Sequence, residues 1–246
     1  MNLIRLVLFA TVIAPTFAHA GCEDRLQAWT NQLHPGRKIA TDFASCKAWP
    51  ANPSLTLALL PLPQKGNSDD EGQYDLDILI ADSNSGAIVA HDFQPSAITY
   101  DAIRLSSLSL DTARYQLTPT DRAFGVRTTQ GNTSRVAPYE TTALSLYVID
   151  GTTVRRVLER LVIASNTGEW DGNCAGTFDT TTRTIDIGRA GSDGYAALKV
   201  SEKSEHRQDK VRGGSCDEGS PSLQRSSFTL EYRNGRYGVP KGLQAD

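Results

Sequence analysis

TTALSLYVIDGTTVRRVLERLVIASNTGEWDGNC, residues 141–174, holds two apolar runs joined at Asp150-Gly151 and ends on a Trp and a Cys. In the first run Leu144, Leu146 and Val148 fall on one side of an extended chain, with Ala143, Ser145, Tyr147 and Ile149 on the other. That period of two marks a strand. Asp-Gly supplies the positive φ values of a tight turn, so the chain is predicted to fold straight back on itself. The return run is ambiguous. Val154, Val157, Leu158, Leu161 and Val162 sit at helical spacing, yet the preceding turn and the run Leu161-Val162-Ile163 favour a strand. We read a strand with a bulge near Arg155-Arg156, which exchanges its inward and outward faces; a helix is the alternative.

Working outward to the N-terminus, residues 1–20 read MNLIRLVLFATVIAPTFAHA. One charge at Arg5, a short apolar stretch, a break at Pro15 and Ala18-His19-Ala20 together match a secretory signal with its cleavage site. The apolar core falls well short of the roughly 20 residues a membrane span needs. Cys22, just after the cleavage motif, also permits a lipid anchor, although His19 stands where such signals carry an aliphatic residue. The expected divisions are a signal peptide at residues 1–20, a helical, disulfide-tied segment at residues 21–53 and a β-rich domain at residues 54–246.

Cleavage leaves 24 basic residues (25 minus Arg5) against 28 acidic ones, a net charge of −4. Nucleic acid and anionic membranes select for basic surfaces, so neither is expected as the main partner. All four cysteines, Cys22, Cys46, Cys174 and Cys216, lie beyond the signal. An even count in an exported chain points to disulfides. Four cysteines permit three connectivities, and we favour Cys22 with Cys46 and Cys174 with Cys216, each pair being neighbours in sequence. No C-x-x-C or Cys/His cluster suggests zinc or a redox site.

Residues 23–33 carry Leu26, Trp29, Thr30 and Leu33 at helical intervals and stop before Pro35-Gly36, predicting a short helix. Strands are expected at residues 55–60, 74–81 and 87–93, the last two joined by the turn at residues 82–86, and again within 98–115, 123–128, 183–187, 195–200 and 228–232. Residues 64–73 and 201–221 are polar and rich in turn formers and are expected as loops. A final hairpin turns at Asn234-Gly235. Turn signals every ten residues or so suit an antiparallel β-sandwich or a partly open barrel, with a propeller-like fragment as the alternative. No fixed-period repeat supports a whole propeller.

Chemistry-bearing motifs are scarce. There is no H-E-x-x-H, G-x-S-x-G, Walker loop or dinucleotide fingerprint, and no cofactor or metal is implied. The turn at Asp82, Asn84 and Gly86 starts like a calcium loop, but no bidentate Glu follows at the required distance. His34, His91 and His206 are widely separated and read as isolated. Asp75 and Asp77 share one strand face, for which a polar outer surface is the ordinary reading and acid–base chemistry the sharper one. His91 with Asp82, Asp75 and Asp77 is the one catalytic constellation the sequence offers. Trp170 beside Cys174 reads as a packing plug.

Residues 123–127 (AFGVR), 168–174 (GEWDGNC), Arg183-Thr184 and residues 232–240 resemble a group of exported β-rich proteins of Gram-negative bacteria, over about two thirds of the chain. The resemblance implies export and a β-rich fold and carries no activity. Ser192-Asp193-Gly194-Tyr195 resembles, more weakly, the Ser-Gly-x-x-Tyr loop of periplasmic lysozyme inhibitors. Two functions follow as expectations. The first is a non-catalytic periplasmic or secreted binding protein, an inhibitor or immunity protein with a protein partner in the cell envelope. The alternative is a periplasmic hydrolase with an assembled His/Asp site.

Overall fold

The computed structural model describes residues 21–245; the signal segment expected at residues 1–20 lies outside them. Helix α1 (Glu23–Leu33) precedes an antiparallel meander of β1 (Ser45–Trp49), β2 (Asn52–Pro63), β3 (Gly72–Asp82) and β4 (Ile88–Tyr100). A second meander follows: β5 (Arg104–Gln116), β6 (Arg122–Gly131), β7 (Tyr139–Asp150) and β8 (Thr153–Trp170). Then come β9 (Gly176–Ala190), β10 (Ala196–Arg212), β11 (Ser215–Asp217), β12 (Ser222–Leu230) and the short pair β13 (Tyr232–Arg233) and β14 (Arg236–Tyr237). The first eight strands run in the order β1-β2-β3-β4-β8-β7-β6-β5. The sheet folds over without closing. Its end strands β1 and β5 are not paired, and Lys47 Nζ reaches the Leu110 carbonyl across the gap at 3.2 Å. The architecture is sandwich-like, as the turn spacing suggested.

Strand β7 explains why. Its face with Leu144, Leu146 and Val148 enters one core with Val157, Leu158, Leu161, Leu198 and Leu230. Its opposite face places Tyr147 in another core, with Phe124 above and Leu57, Leu59, Ile78 and Ile80 from the folded-over half. A strand buried on both sides carries apolar residues on both faces, as β7 does from Ala143 to Val148 apart from Ser145. A third cluster packs Trp29 of α1 against Ala58, Leu60, Leu79 and Ala81 on the outer face of β2 and β3.

The hairpin at Asp150 is present, with Gly151 at φ 61, and its return arm is a strand. The bulge expected near Arg155-Arg156 belongs one residue on. Leu146 pairs with Leu158 while Tyr147 pairs with Arg156, leaving Val157 extra. Two further slips leave an extra residue between Leu158 and Leu161, and another at Ile163. Each added residue resets which face points inward. The spacing of three from Leu158 to Leu161 therefore stays on one core, while Val154 belongs to the other, and a bulged strand takes on helical periodicity.

Both expected disulfides are formed, Cys22 with Cys46 and Cys174 with Cys216. The first occupies the sulfur that a lipid anchor at Cys22 would need. The loop expected at residues 201–221 is largely strand. β10 continues to Arg212, pairing with β9 through Asp209 and with β12 through His206. This three-stranded arm has a mostly solvated outer half, so no apolar alternation marks it. It is held instead by cross-strand pairs such as Arg183 with Glu202 at 2.6 Å, and by the disulfide at Cys216.

Candidate functional site

Strand β3 alternates sharply. Leu76, Ile78 and Ile80 enter the sandwich core, which sends Asp75 and Asp77 to the opposite face. That face is covered. The residues following α1 lie across it, and Asp77 is fully buried while Asp75 is 5 % exposed. The polar outer surface expected for the two carboxylates is thus corrected: a segment the sequence left unassigned sits over them.

Each carboxylate is met by that segment. His34 Nε2 lies 2.6 Å from Asp77 Oδ2, and His91 Nδ1 of β4 lies 3.2 Å from Asp77 Oδ1. Phe93 packs beside the His34 ring at 4.8 Å. Asp75 accepts hydrogen bonds from Arg37 at 2.9 Å, Gln64 at 2.6 Å and the Ser96 backbone N–H at 2.8 Å. Burial alone would raise the Asp75 carboxyl. The donors Ser96, Gln64 and Arg37 outweigh it and hold the group below the usual carboxylate range. Further along, α1 grips the β3–β4 turn: Arg25 donates to the Ser83 and Asn84 carbonyls and Trp29 Nε1 to Gly86.

Of the residues the sequence proposed for catalysis, His91 and Asp77 come together, Asp75 occupies a neighbouring cluster, and Asp82 joins neither. Its Oδ1 accepts from the Asn84 and Ser85 N–H groups and the Ser85 hydroxyl, which caps the turn. That role also accounts for the calcium-like spelling of the turn. The residue missed was His34, read as isolated. No local signal joins it to Asp77, 43 positions on. Chemically, the cluster orients two imidazoles about one buried carboxylate, with the His91 side chain 40 % exposed. Among the described residues no Ser, Thr or Cys side chain hydrogen-bonds to His34 or His91. The one group spaced for a metal there is Cys22, Glu23 and Cys46, whose two sulfurs are bonded to each other.

A second feature opens where β4 and β8 part. They pair only at His91 and Thr153, and beyond that point a cleft of about 760 Å³ separates them, walled by Arg155, Arg156 and Arg160. It runs into a second cleft of about 1040 Å³ under the β13–β14 hairpin, with Arg155, Arg156 and Arg236 common to both. Arg155 is fixed by Asp150 at 3.0 Å, the Tyr232 hydroxyl at 2.9 Å, the Tyr195 hydroxyl at 3.2 Å and the Gly235 carbonyl at 3.0 Å. Tyr195 stacks on Tyr232 at 3.9 Å and donates to Asp121. Burial and then Asp121 push the Tyr195 phenol up to about 12. Tyr195 is therefore tied into the frame.

Comparison with family models, with curated proteins and with solved structures returns no match.

Proposed function

We propose that the chain is a non-catalytic binding protein of the cell envelope, acting as an inhibitor or immunity protein against an enzyme that attacks the envelope. The observation that carries this reading is the use made of Asp75 and Asp77. Both are buried and bonded to residues that hold the N-terminal segment on the sheet. Acid–base work needs a group that substrate can reach. Two disulfides suit an oxidising compartment, and no helix among the described residues is long and apolar enough to cross a membrane. The arm of β9, β10 and β12 leaves Val211 and Leu223 more than half exposed, and it supplies an outward surface for a partner.

The test is crosslinking of the purified chain in envelope extract, followed by an inhibition assay on the enzyme recovered. One stoichiometric partner whose activity falls on adding the chain is expected, with capture weakened by Val211→Asp plus Leu223→Asp. Repeated capture of nothing, or capture without inhibition, overturns the reading.

The hydrolase reading keeps one favourable observation: a buried carboxylate orienting an imidazole that is partly open to solvent, the arrangement used to position a general base. It requires that His91→Ala abolish any turnover found on glycan, peptide or ester substrates. Unchanged turnover in that variant removes it.

A further inference from the structure

The two clefts form one trough whose charge runs against that of the chain. Arg155, Arg156, Arg160, Arg233 and Arg236 line it, against Asp92, Glu159 and Glu231. Five guanidiniums minus three carboxylates leaves +2 in the lining, or +1 with Asp150, which pairs with Arg155 from outside it, on a protein whose formal charge is −3. Two of the acids are engaged inside it, Glu159 by Arg156 at 2.7 Å and Asp92 by Gln94 at 2.7 Å.

The mouth holds a local rule violation. Arg233 and Arg236 are directly opposite across the Asn234-Gly235 turn, and like charges in that position oppose hairpin formation. Neither has an ion pair or a side-chain hydrogen bond among the described residues. Local rules broken without an evident compensating contact are expected at functional or strained sites. Planar guanidiniums match phosphate and carboxylate oxygens two at a time. Beside them the second cleft is walled by Phe228, Pro240 and Leu243.

An added β-strand fits poorly. On the β4 wall Pro95 lacks an N–H, Ser96 sits at φ 50, and two extra residues interrupt the pairing with β3 between Gln94 and Ile98. Those features blunt a strand edge. We propose that the trough binds an amphiphilic anion, with a phosphate or carboxylate head on Arg233, Arg236 and Arg156, and an acyl-like body along Phe228, Pro240 and Leu243. The site is independent of the partner-binding reading and stands if that reading fails.

The test is calorimetric titration of the mature chain with dodecyl phosphate and with dodecanoate, both below micelle formation; inorganic phosphate and dodecyl maltoside separate the two parts of the site. One equivalent of a dodecyl anion should bind, with the tighter of the two naming the head group. Affinity should fall as salt is raised, and by about tenfold or more in R233E/R236E, a loss of about 1.4 kcal/mol. Inorganic phosphate should bind about tenfold more weakly, and the maltoside not measurably. Absence of saturable binding by both anions overturns the proposal, as does equal affinity in the variant, in high salt, for bare phosphate or for the neutral detergent. Should R233E/R236E lose its native circular dichroism, R233Q/R236Q and the salt series on the unaltered chain decide the matter.

Discussion

His34 Nε2 and Asp77 Oδ2 lie 2.6 Å apart, joining the residue just past α1 to the middle of a strand 43 positions further on. The aspartate is fully buried, so the contact decides whether a carboxylate is stable in that place. A buried polar group left without its partner costs about 1–3 kcal/mol, and more if charged. Asp77→Asn retains the size but gives the two imidazoles an amide that accepts through one oxygen only. It should destabilise the fold by about 1–3 kcal/mol in denaturant titration and speed amide exchange across residues 22–44. Unchanged stability and exchange would show that the cluster does not hold the N-terminal segment.

The two disulfides should differ in what they protect. By the chain-entropy treatment, loops of 24 and 42 residues give similar stabilisation of about 3–4 kcal/mol each. Their surroundings are not similar. Cys22 and Cys46 pack against the Trp29 cluster, whereas Cys216 sits on the exposed β11 at the arm's end. Replacing Cys22 and Cys46 with Ser should loosen α1 and speed amide exchange at Trp29. Replacing Cys174 and Cys216 should leave that exchange unchanged while making the arm sensitive to proteolysis near residue 213. Identical proteolysis and exchange in both variants would contradict the assignment.

Separate cores predict separable losses. Leu59 is fully buried in the core between the meanders, and Leu161 in the core beneath β10 and β12. Either Leu→Ala change should cost about 2–5 kcal/mol. With no shared cluster, the double variant should equal the sum to within about 0.5 kcal/mol. A coupling well beyond that margin would mean that the two clusters act as one.

How much of this was legible depended on whether the cause was local. The hairpin at Asp150-Gly151 and the strand before it are local properties of turn chemistry and period, and both were readable; the burial of β7 on both faces was not, because alternation marks one face only. The role of Gly125 was not readable: a Cβ there would meet Leu144 Cδ1 at 2.7 Å, a tertiary contact with no local signal. Arg127, two residues on, pairs with Asp111 at 2.6 Å. In residues 168–174, Asp171 accepts the Asn173 and Cys174 N–H groups and so turns Cys174 toward its partner. The outer half of β10 was read as loop because a strand solvated on both faces carries no alternation. The burial of Asp75 and Asp77 was hidden for the opposite reason: alternation gave their face correctly, and only the tertiary path of residues 34–44 shows that the face is covered. The trough was invisible because its arginines come from β8 and from a hairpin some 80 residues later, as the contact of Arg155 with Gly235 shows.

Asp75 and Asp111 are expected to contribute to the acid limb of stability; Asp82 and Asp171 are also held low, by backbone N–H groups of their turns. Burial would raise Asp111, but the Ala113 N–H, Arg127 and Tyr115 outweigh it and hold the group low, as the partners of Asp75 do there. A carboxyl held below its unfolded value binds its proton less readily when folded, so its contribution is fully present above about pH 4 and disappears as pH falls through the folded value. Thermal unfolding followed from pH 6 to pH 2 should therefore show the melting temperature declining below about pH 4. Asp111→Asn should lower stability at pH 6 and flatten the decline, because its amide has no proton to gain, and the same direction is expected for Asp75→Asn. A variant that lost stability equally at pH 6 and pH 2 would place the acid sensitivity elsewhere.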